Sequence, residues 1–307
     1  MPRTVAAETR VAGLSLLVRE DTFVNVSRSD LVERLGFASN VRAVIVRVSG
    51  LGTTHAANVG VYESLREGVA TTASLHVPCP WSRHAAALYR GEDLGISLTL
   101  NAEHELYRWG PITHAPSLLD GNGGFPMTID DLWDHADLDE ARRECRAQVE
   151  RAIYWGFDVT HLDGHLDALA LRPEFFDLLL DLALEFDLPL RLPSVAAQDR
   201  AGFPFRSLAA EEGVVFPDRV IDLSPMSPFG WKASAEVPEF EPGVTEIRLT
   251  PAVDTPELRA LHERWPHQVD HLRMLEEGGA LQRLFSEQNV TRIGYRELRT
   301  LMRRRLG

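Results

Sequence analysis

Lysine is all but absent from this 307-residue chain: Lys232 is the single one, and arginine carries the rest of the positive charge. Basic residues number 32 against 45 acidic ones, a formal net charge of −13. An acidic surface of this kind argues against nucleic acid and against anionic membrane as partners, since both call for clustered positive charge. Cysteine is scarce as well. Cys79 and Cys145 are too few for a disulfide framework or a zinc–thiolate cluster, so packing is their expected role. No apolar run approaches the ~20 residues that span a bilayer. The opening stretch MPRTVAAETRVAGLSLLVRED flanks a short apolar patch with charges and lacks a small-residue cleavage site, so no signal peptide is read. A cytoplasmic protein is expected.

What is present describes a folded body. Apolar residues make up 44% and charged residues 25%, the composition of a soluble domain with a real core. Strand-like and helix-like stretches alternate. SDLVERLG (29–36) reads as a short helix capped by Ser29, and VRAVIVRVSG (41–50) as a buried strand. AANVGVYESLREG reads as a helix, VATTASLHV as a strand, SRHAAALYRGE as a helix and LGISLTLNA as a third strand. Glu103 to about Asp137 reads as a long irregular loop, and loops of that length in compact domains are usually functional. LDEARRECRAQVERAIYWG is a strong amphipathic helix. VTHLDGHLDAL follows it, then the helix EFFDLLLDLALEFD and a strand at LPLRLPS (188–194). The run Glu236–Glu241 reads as a solvated loop. Such alternation implies parallel strands with crossover helices, in a closed or partly closed (β/α) barrel whose chemistry sits at the C-terminal ends of the strands.

THLDGHLDAL (160–169) carries the densest polar signal. In an extended stretch His161, Asp163 and His165 project to one face, and imidazole with carboxylate is a usual donor set for zinc and similar ions. The competing reading is a hydrogen-bonded polar cluster at a strand end.

GVYESLREGVATTASL, GISLTLNAE, RAQVERAIYWGFDVTHLDGH, LPLRLP and PGVTEIRLTPA, in this order and spacing, resemble the YdjC-like carbohydrate deacetylases over about Ala43 to Tyr295. The resemblance implies a deformed, TIM-barrel-like (β/α) barrel over 43–307, with 1–42 as a short N-terminal extension. It further implies removal of acetyl groups from N-acetylated sugars with one divalent metal (magnesium, zinc or similar). In that family the metal polarises the amide carbonyl and activates water, an aspartate is the base, and a histidine protonates the leaving amine.

Set against the family pattern, this chain departs at the chemistry. Where the family's first strand ends close to Asn-Ala-Asp-Asp-Phe-Gly, this chain has Arg47, Val48, Ser49, Gly50, Leu51 and Gly52. Both aspartates, the base and the first metal ligand, are replaced, by Ser49 and Gly50. Ser97 stands in GISL where the family has its ligand histidine, and Thr250–Pro251 replaces the His-Pro that supplies the proton donor. His-x-Asp-x-His-x-His survives as His161, Asp163 and His165 with Asp167 in the last place, and His165 matches the third ligand.

Asp163 and His161 are accordingly the candidate catalytic remnants and His165 the candidate metal ligand. Arg191, Tyr107 and Trp109 are candidates for holding a sugar, with Phe125 beside them as either a stacking ring or part of a loop mini-core. The expected function is a deacetylase-like protein that has lost its metal-dependent hydrolysis and binds an N-acetylated sugar or related small molecule, with no tightly bound cofactor and with a homo-oligomer left open. The alternative is an active hydrolase with a site rebuilt from His76, Asp163 and His165, with His55 and Asp167 as further candidates. His76 also reads as a singly buried histidine, and His55 as a helix cap.

Overall fold

Crossover helices bring β-branched runs side by side when each run is too apolar to face water. The computed structural model describes residues 30–223, 239–261 and 263–304; residues 1–29 of the expected extension and Glu236 lie outside them. In chain order the elements are α1 (Leu31–Arg34), β1 (Arg42–Leu51), α2 (His55–Arg66), β2 (Thr72–Leu75), α3 (Ser82–Leu88) and β3 (Leu94–Leu98). After a 3-10 turn at Pro116–Leu118 come α4 (Ile129–His135), α5 (Leu138–Tyr154), β4 (Val159–Gly164), α6 (Pro173–Glu185), α7 (Val195–Ala201), α8 (Phe205–Glu211) and β5 (Arg219–Asp222). β6 (Gly243–Leu249), α9 (Pro256–Leu261), α10 (Trp265–Leu275), α11 (Ala280–Glu287), β7 (Thr291–Ile293) and α12 (Tyr295–Arg303) complete the chain.

The strands form one sheet in the order β4-β3-β2-β1-β6-β5, with β7 beside the N-terminal half of β1, and every pairing is parallel. Curled on itself, with no pairing between its two edges among the described residues, it is a half-barrel. This is the partly closed barrel that the alternation predicts and the deformed, TIM-barrel-like fold that the resemblance implies. β1 lies at its centre, and Ala43 to Val46 and Val48 are fully buried. Leu31 and Val32 of α1 join this core, so the packed body begins before residue 43. Among the described residues no helix is long and apolar enough to cross a membrane.

Several local expectations need correction. The stretch 188–194 forms no strand: a single parallel bridge joins Leu162 to Leu190. Pro189 and Pro193 lack the N–H that a ladder requires. His55 is not a cap; it is the first residue of α2, and Thr54 caps the helix by accepting from Ala57 N at 3.0 Å. The helix expected over 29–36 is confined to α1. The long loop is not structureless, for it contains α4 and is pinned to the barrel. Glu144 on α5 accepts from Ile112 N at 3.1 Å, Thr113 N at 2.9 Å and Thr113 Oγ1 at 2.6 Å. Arg108 donates to Ala102 O at 3.0 Å and pairs with Asp120 and Phe125 O. Glu239 and Glu241 pair with Arg42 and Arg219.

Candidate functional site

The C-terminal ends of β1, β2, β3, β4 and β6 converge on a cleft. Its walls include Ser49 and Gly50 from β1, His76 just after β2, Glu103 and His104 after β3, His165 after β4, and Arg248 and Thr250 at the end of β6. Thr54 and Ala57 at the N-terminal end of α2 close one side and Trp109 another. The cavity within is about 60 Å³. At roughly 10–15 Å³ per water, it admits a few waters or one small acyl group, and a sugar ring would sit at its open mouth.

A bulge shapes the β1 wall. The register of β1 on β2 shifts between Val48 and Leu51, and Gly50 there has φ +99°, a left-handed conformation that costs a side-chain-bearing residue about 1–2 kcal/mol. Bulges re-aim side chains beside sites, and this one turns Ser49 into the cleft. Gly52 completes the turn: a Cβ on it would lie 2.9 Å from the His76 carbonyl oxygen. Glycine therefore lets the two strand ends close up, and His76 N donates to Leu51 O at 2.8 Å.

Two histidines meet on the cleft floor. The rings of His76 and His165 pack edge to face with centroids 4.9 Å apart. His76 Nε2 lies 3.4 Å from Ser49 Oγ and its Nδ1 lies 3.1 Å from Thr99 Oγ1. His165 Nε2 donates to Glu103 Oε2 at 2.9 Å. Burial, reinforced by His165, pushes the pKa of His76 down to about 3. Burial alone would raise the Glu103 carboxyl, but the charge and hydrogen bond of His165, with His104, hold it below the usual range.

Behind the cleft the barrel interior is filled by a buried ionic network. Arg47 donates to Glu246 Oε1 at 3.0 Å, Ser74 Oγ at 2.9 Å and Asp163 Oδ2 at 2.9 Å. Ser74 Oγ donates to Asp163 Oδ2 and Ser97 Oγ to Asp163 Oδ1, both at 2.6 Å. Asp163 thus has both oxygens committed. Burial opposes its ionisation, but Arg47, His161, Ser74 and Ser97 outweigh that and hold its pKa far below the ordinary aspartate value. His161 Nε2 lies 3.0 Å from Ser74 Oγ, its ring stacks on Tyr295 at 3.9 Å, and burial lowers its pKa to about 3. Tyr295 donates to Glu246. Arg191 pairs with Asp167 and lies 3.4 Å from Glu246, so its partners are buried ones, not a surface pair. The turn that delivers Asp167 is strained, with Leu166 at φ 54° and Asp167 at φ 61°. Such pairs of left-handed residues persist only where the surroundings fix them.

The structure thus divides the residues singled out in the sequence. Ser49, Gly50, His76, His165, Thr250 and Trp109 share the cleft. Asp163, His161, Ser97, Asp167 and Arg191 belong to the polar interior beneath it. Tyr107 reaches from the loop to donate to Thr53 O at 2.7 Å, and Trp109 donates to Asn101 O at 2.8 Å. Phe125 is fully buried and pins the loop. His55 packs at 5.2 Å from Trp81 and 5.3 Å from His84, on the outer side of the α2 turn. Thr250 N donates to His271 Nδ1 of α10 at 3.1 Å.

The donor set does not fit the divalent metal that the resemblance implies. At the three positions that the resemblance assigns to metal ligands, Gly50 has no side chain, Ser97 spends its hydroxyl proton on Asp163, and only His165 offers an imidazole. Among the described residues no group of three or more His, Cys, Asp or Glu is arranged to hold a metal ion, whereas protein zinc sites supply at least three ligands.

Sequence reasoning passed over Arg47 as a functional residue, and also Glu246, Tyr295, Glu103 and His104. For the first two a signal was present: a charge inside a β-branched run (VIVRV, GVTEIRL) must be buried, and buried charge requires a partner. Glu103 and His104 carried no such signal in a loop rich in polar residues.

Comparison with known proteins gives consistent findings. Residues 43–292 match the family model described as YdjC-like protein. A carbohydrate deacetylase of Thermus thermophilus is 34% identical over 243 residues, covering 77% of this chain and 87% of that protein. One of Brevibacillus brevis is 34% identical over 154 residues, 49% of this chain and 59% of that protein's length. A solved structure from Enterococcus faecalis, described as a cellobiose-phosphate cleavage protein, superposes with a TM-score of 0.70 over 84% of this chain and 99% of its own, at 22% identity. That likeness concerns the fold.

Proposed function

From the premise that this chain belongs to the YdjC-like family, among whose members are carbohydrate deacetylases, we propose that it binds an N-acetylated sugar or a close relative without running metal-dependent hydrolysis. One observation carries the reading: Asp163, the surviving carboxylate of the family motif, is held beneath the cleft with both oxygens engaged by Arg47, Ser74 and Ser97. A general base must reach the proton it abstracts, and this carboxylate lies behind the cleft with both oxygens turned to those three side chains. With Gly50 and Ser97 in the ligand places, no water is activated as in the family mechanism. His161 then serves to buttress Ser74 and Tyr295, and Arg191 to fix the Asp167 turn. The acyl group enters the small cavity between Ser49, His76 and His165, and the ring lies against Trp109 at the mouth, with Tyr107 holding that wall in place.

Two measurements test this reading. Calorimetry with N-acetylglucosamine and its short oligomers should register binding. Acetate release from the same sugars should stay at the buffer rate with zinc, nickel, magnesium or no metal added. Metal-stimulated acetate release would overturn the proposal. A second reading, a hydrolase with a rebuilt site, draws on the meeting of His76, His165 and Glu103 on the cleft floor.

A further inference from the structure

The hydrogen bonds of the cleft floor fix the tautomer of His76. Thr99 Oγ1 has one proton, and it goes to Ser97 O at 2.7 Å. The contact of 3.1 Å between Thr99 Oγ1 and His76 Nδ1 must then be donated by Nδ1–H. That leaves the Nε2 lone pair directed at Ser49 Oγ, 3.4 Å away, a separation typical of a nucleophile–base pair before substrate tightens it. The Gly50 bulge turns Ser49 into the cavity, and the cavity fits a short acyl group. Nucleophile, base and orienting group come from the ends of β1, β2 and β3.

We propose that Ser49 is an acyl-accepting nucleophile, with His76 as its base and Thr99 as the positioning residue, acting on short-chain O-acyl esters of sugars. The inference rests on the proposed loss of metal chemistry only in taking the cleft as the acyl site. Ser49 Oγ attacks the acyl carbonyl carbon while its proton passes to His76 Nε2. The C–O bond to the sugar then breaks, and the same proton goes to the departing alkoxide, leaving acyl-Ser49. Water attacks this ester, gives its proton to His76 and releases the carboxylic acid as Ser49 regains its proton. Esters are favoured over amides because, where no metal polarises the carbonyl, an ester carbonyl is more electrophilic than a resonance-stabilised amide and an alkoxide departs more readily than an amide anion.

The test uses p-nitrophenyl acetate with the full-length protein. The chain's single lysine keeps non-specific acylation low. The expected result is a burst of p-nitrophenolate and an acetyl adduct mapped by mass spectrometry to the peptide containing Ser49. Ser49→Ala should abolish that adduct, and Ser49→Cys, a stronger nucleophile of similar size, should carry it as a thioester even if the alanine variant folds poorly. His76→Asn should slow acylation about 100-fold or more. Thr99→Val should slow it, and Thr99→Ser should restore it, which a merely structural threonine would not do. An adduct absent from wild-type protein, located elsewhere, or formed equally fast without His76 overturns the proposal. Binding of N-acetylglucosamine is scored separately: binding without acylation refutes this inference alone, and acylation without binding refutes the sugar-binding reading alone.

Discussion

Replacing Arg47 by methionine removes one buried guanidinium and strands two buried carboxylates. Arg47 is 1% exposed, and its partners Glu246 and Asp163 are 0% and 3% exposed. Breaking a buried ion pair from one side costs about 3–5 kcal/mol, because the remaining charge keeps its desolvation penalty. Glu246 retains Tyr295 and Asp163 retains two serine hydroxyls, so the loss belongs near the lower end. In a domain of this size each kcal/mol is worth about 2 °C, which places the drop in Tm at about 6–8 °C at pH 7. The pH dependence supplies a second check. Asp163 has a folded-state pKa depressed below its ordinary 3.8, so its contribution is present above that value and fades as pH falls through the folded one. In Arg47→Met the main opponent of burial is gone, and Asp163 takes up a proton at higher pH. The deficit of the variant should therefore narrow between pH 7 and pH 4. Adding Asp163→Asn should recover part of the loss, a coupling that a double-mutant cycle measures. Thermal unfolding that shows Arg47→Met as stable as wild type, or a double variant no better than the single one, would refute the account of the interior.

Restoring the family residues singly, through Ser49→Asp, Gly50→Asp, Ser97→His or Thr250→His, should yield no stoichiometric metal by elemental analysis. The combined change should gain metal only with Arg47→Asn added, and Gly50→Asp alone should cost about 1–2 kcal/mol for its left-handed backbone. His161 has its pKa lowered from 6.5 to about 3, so the folded state binds fewer protons than the unfolded one between those values, and stability falls as pH drops through that range. His161→Phe should make the acid-side decline in urea midpoints shallower, with His76 supplying the remaining slope. Glu144→Ala strands the donors of Ile112 and Thr113 at about 1–3 kcal/mol, and limited proteolysis should then cut first between residues 103 and 137.

The architecture was legible because each strand before the long loop is a β-branched or apolar run between amphipathic helices, and that pattern has few solutions. LPLRLPS misled because its alternation is strand-like while its two prolines forbid the ladder. THLDGH was recognised as a polar cluster, but its division was not: β4 ends at Gly164, so His161 and Asp163 face the interior and His165 lies past the bend, in the cleft. The partners that capture Asp163 come from β1, β2 and β3, distant in sequence, and only the sheet register brings Arg47, Ser74 and Ser97 together. Glu103 found His165 across 62 residues by the same route, with nothing in its neighbours to announce it.

Glu144 holds the middle of the segment from Ala102 to Phe125 against the barrel at Ile112 and Thr113. Arg108 ties its two ends together at Ala102 and Phe125, and Tyr107 fastens it to the β1–α2 turn. One consequence concerns kinetics. A wall already fastened in place has little rotational freedom left to surrender when a sugar arrives, and so escapes the ~0.5–1.5 kcal/mol that each newly immobilised side chain takes from affinity. Entry to the cleft then needs no gating motion, so association should proceed at similar speed for cognate and mismatched sugars. Selectivity would reside in how long each one stays.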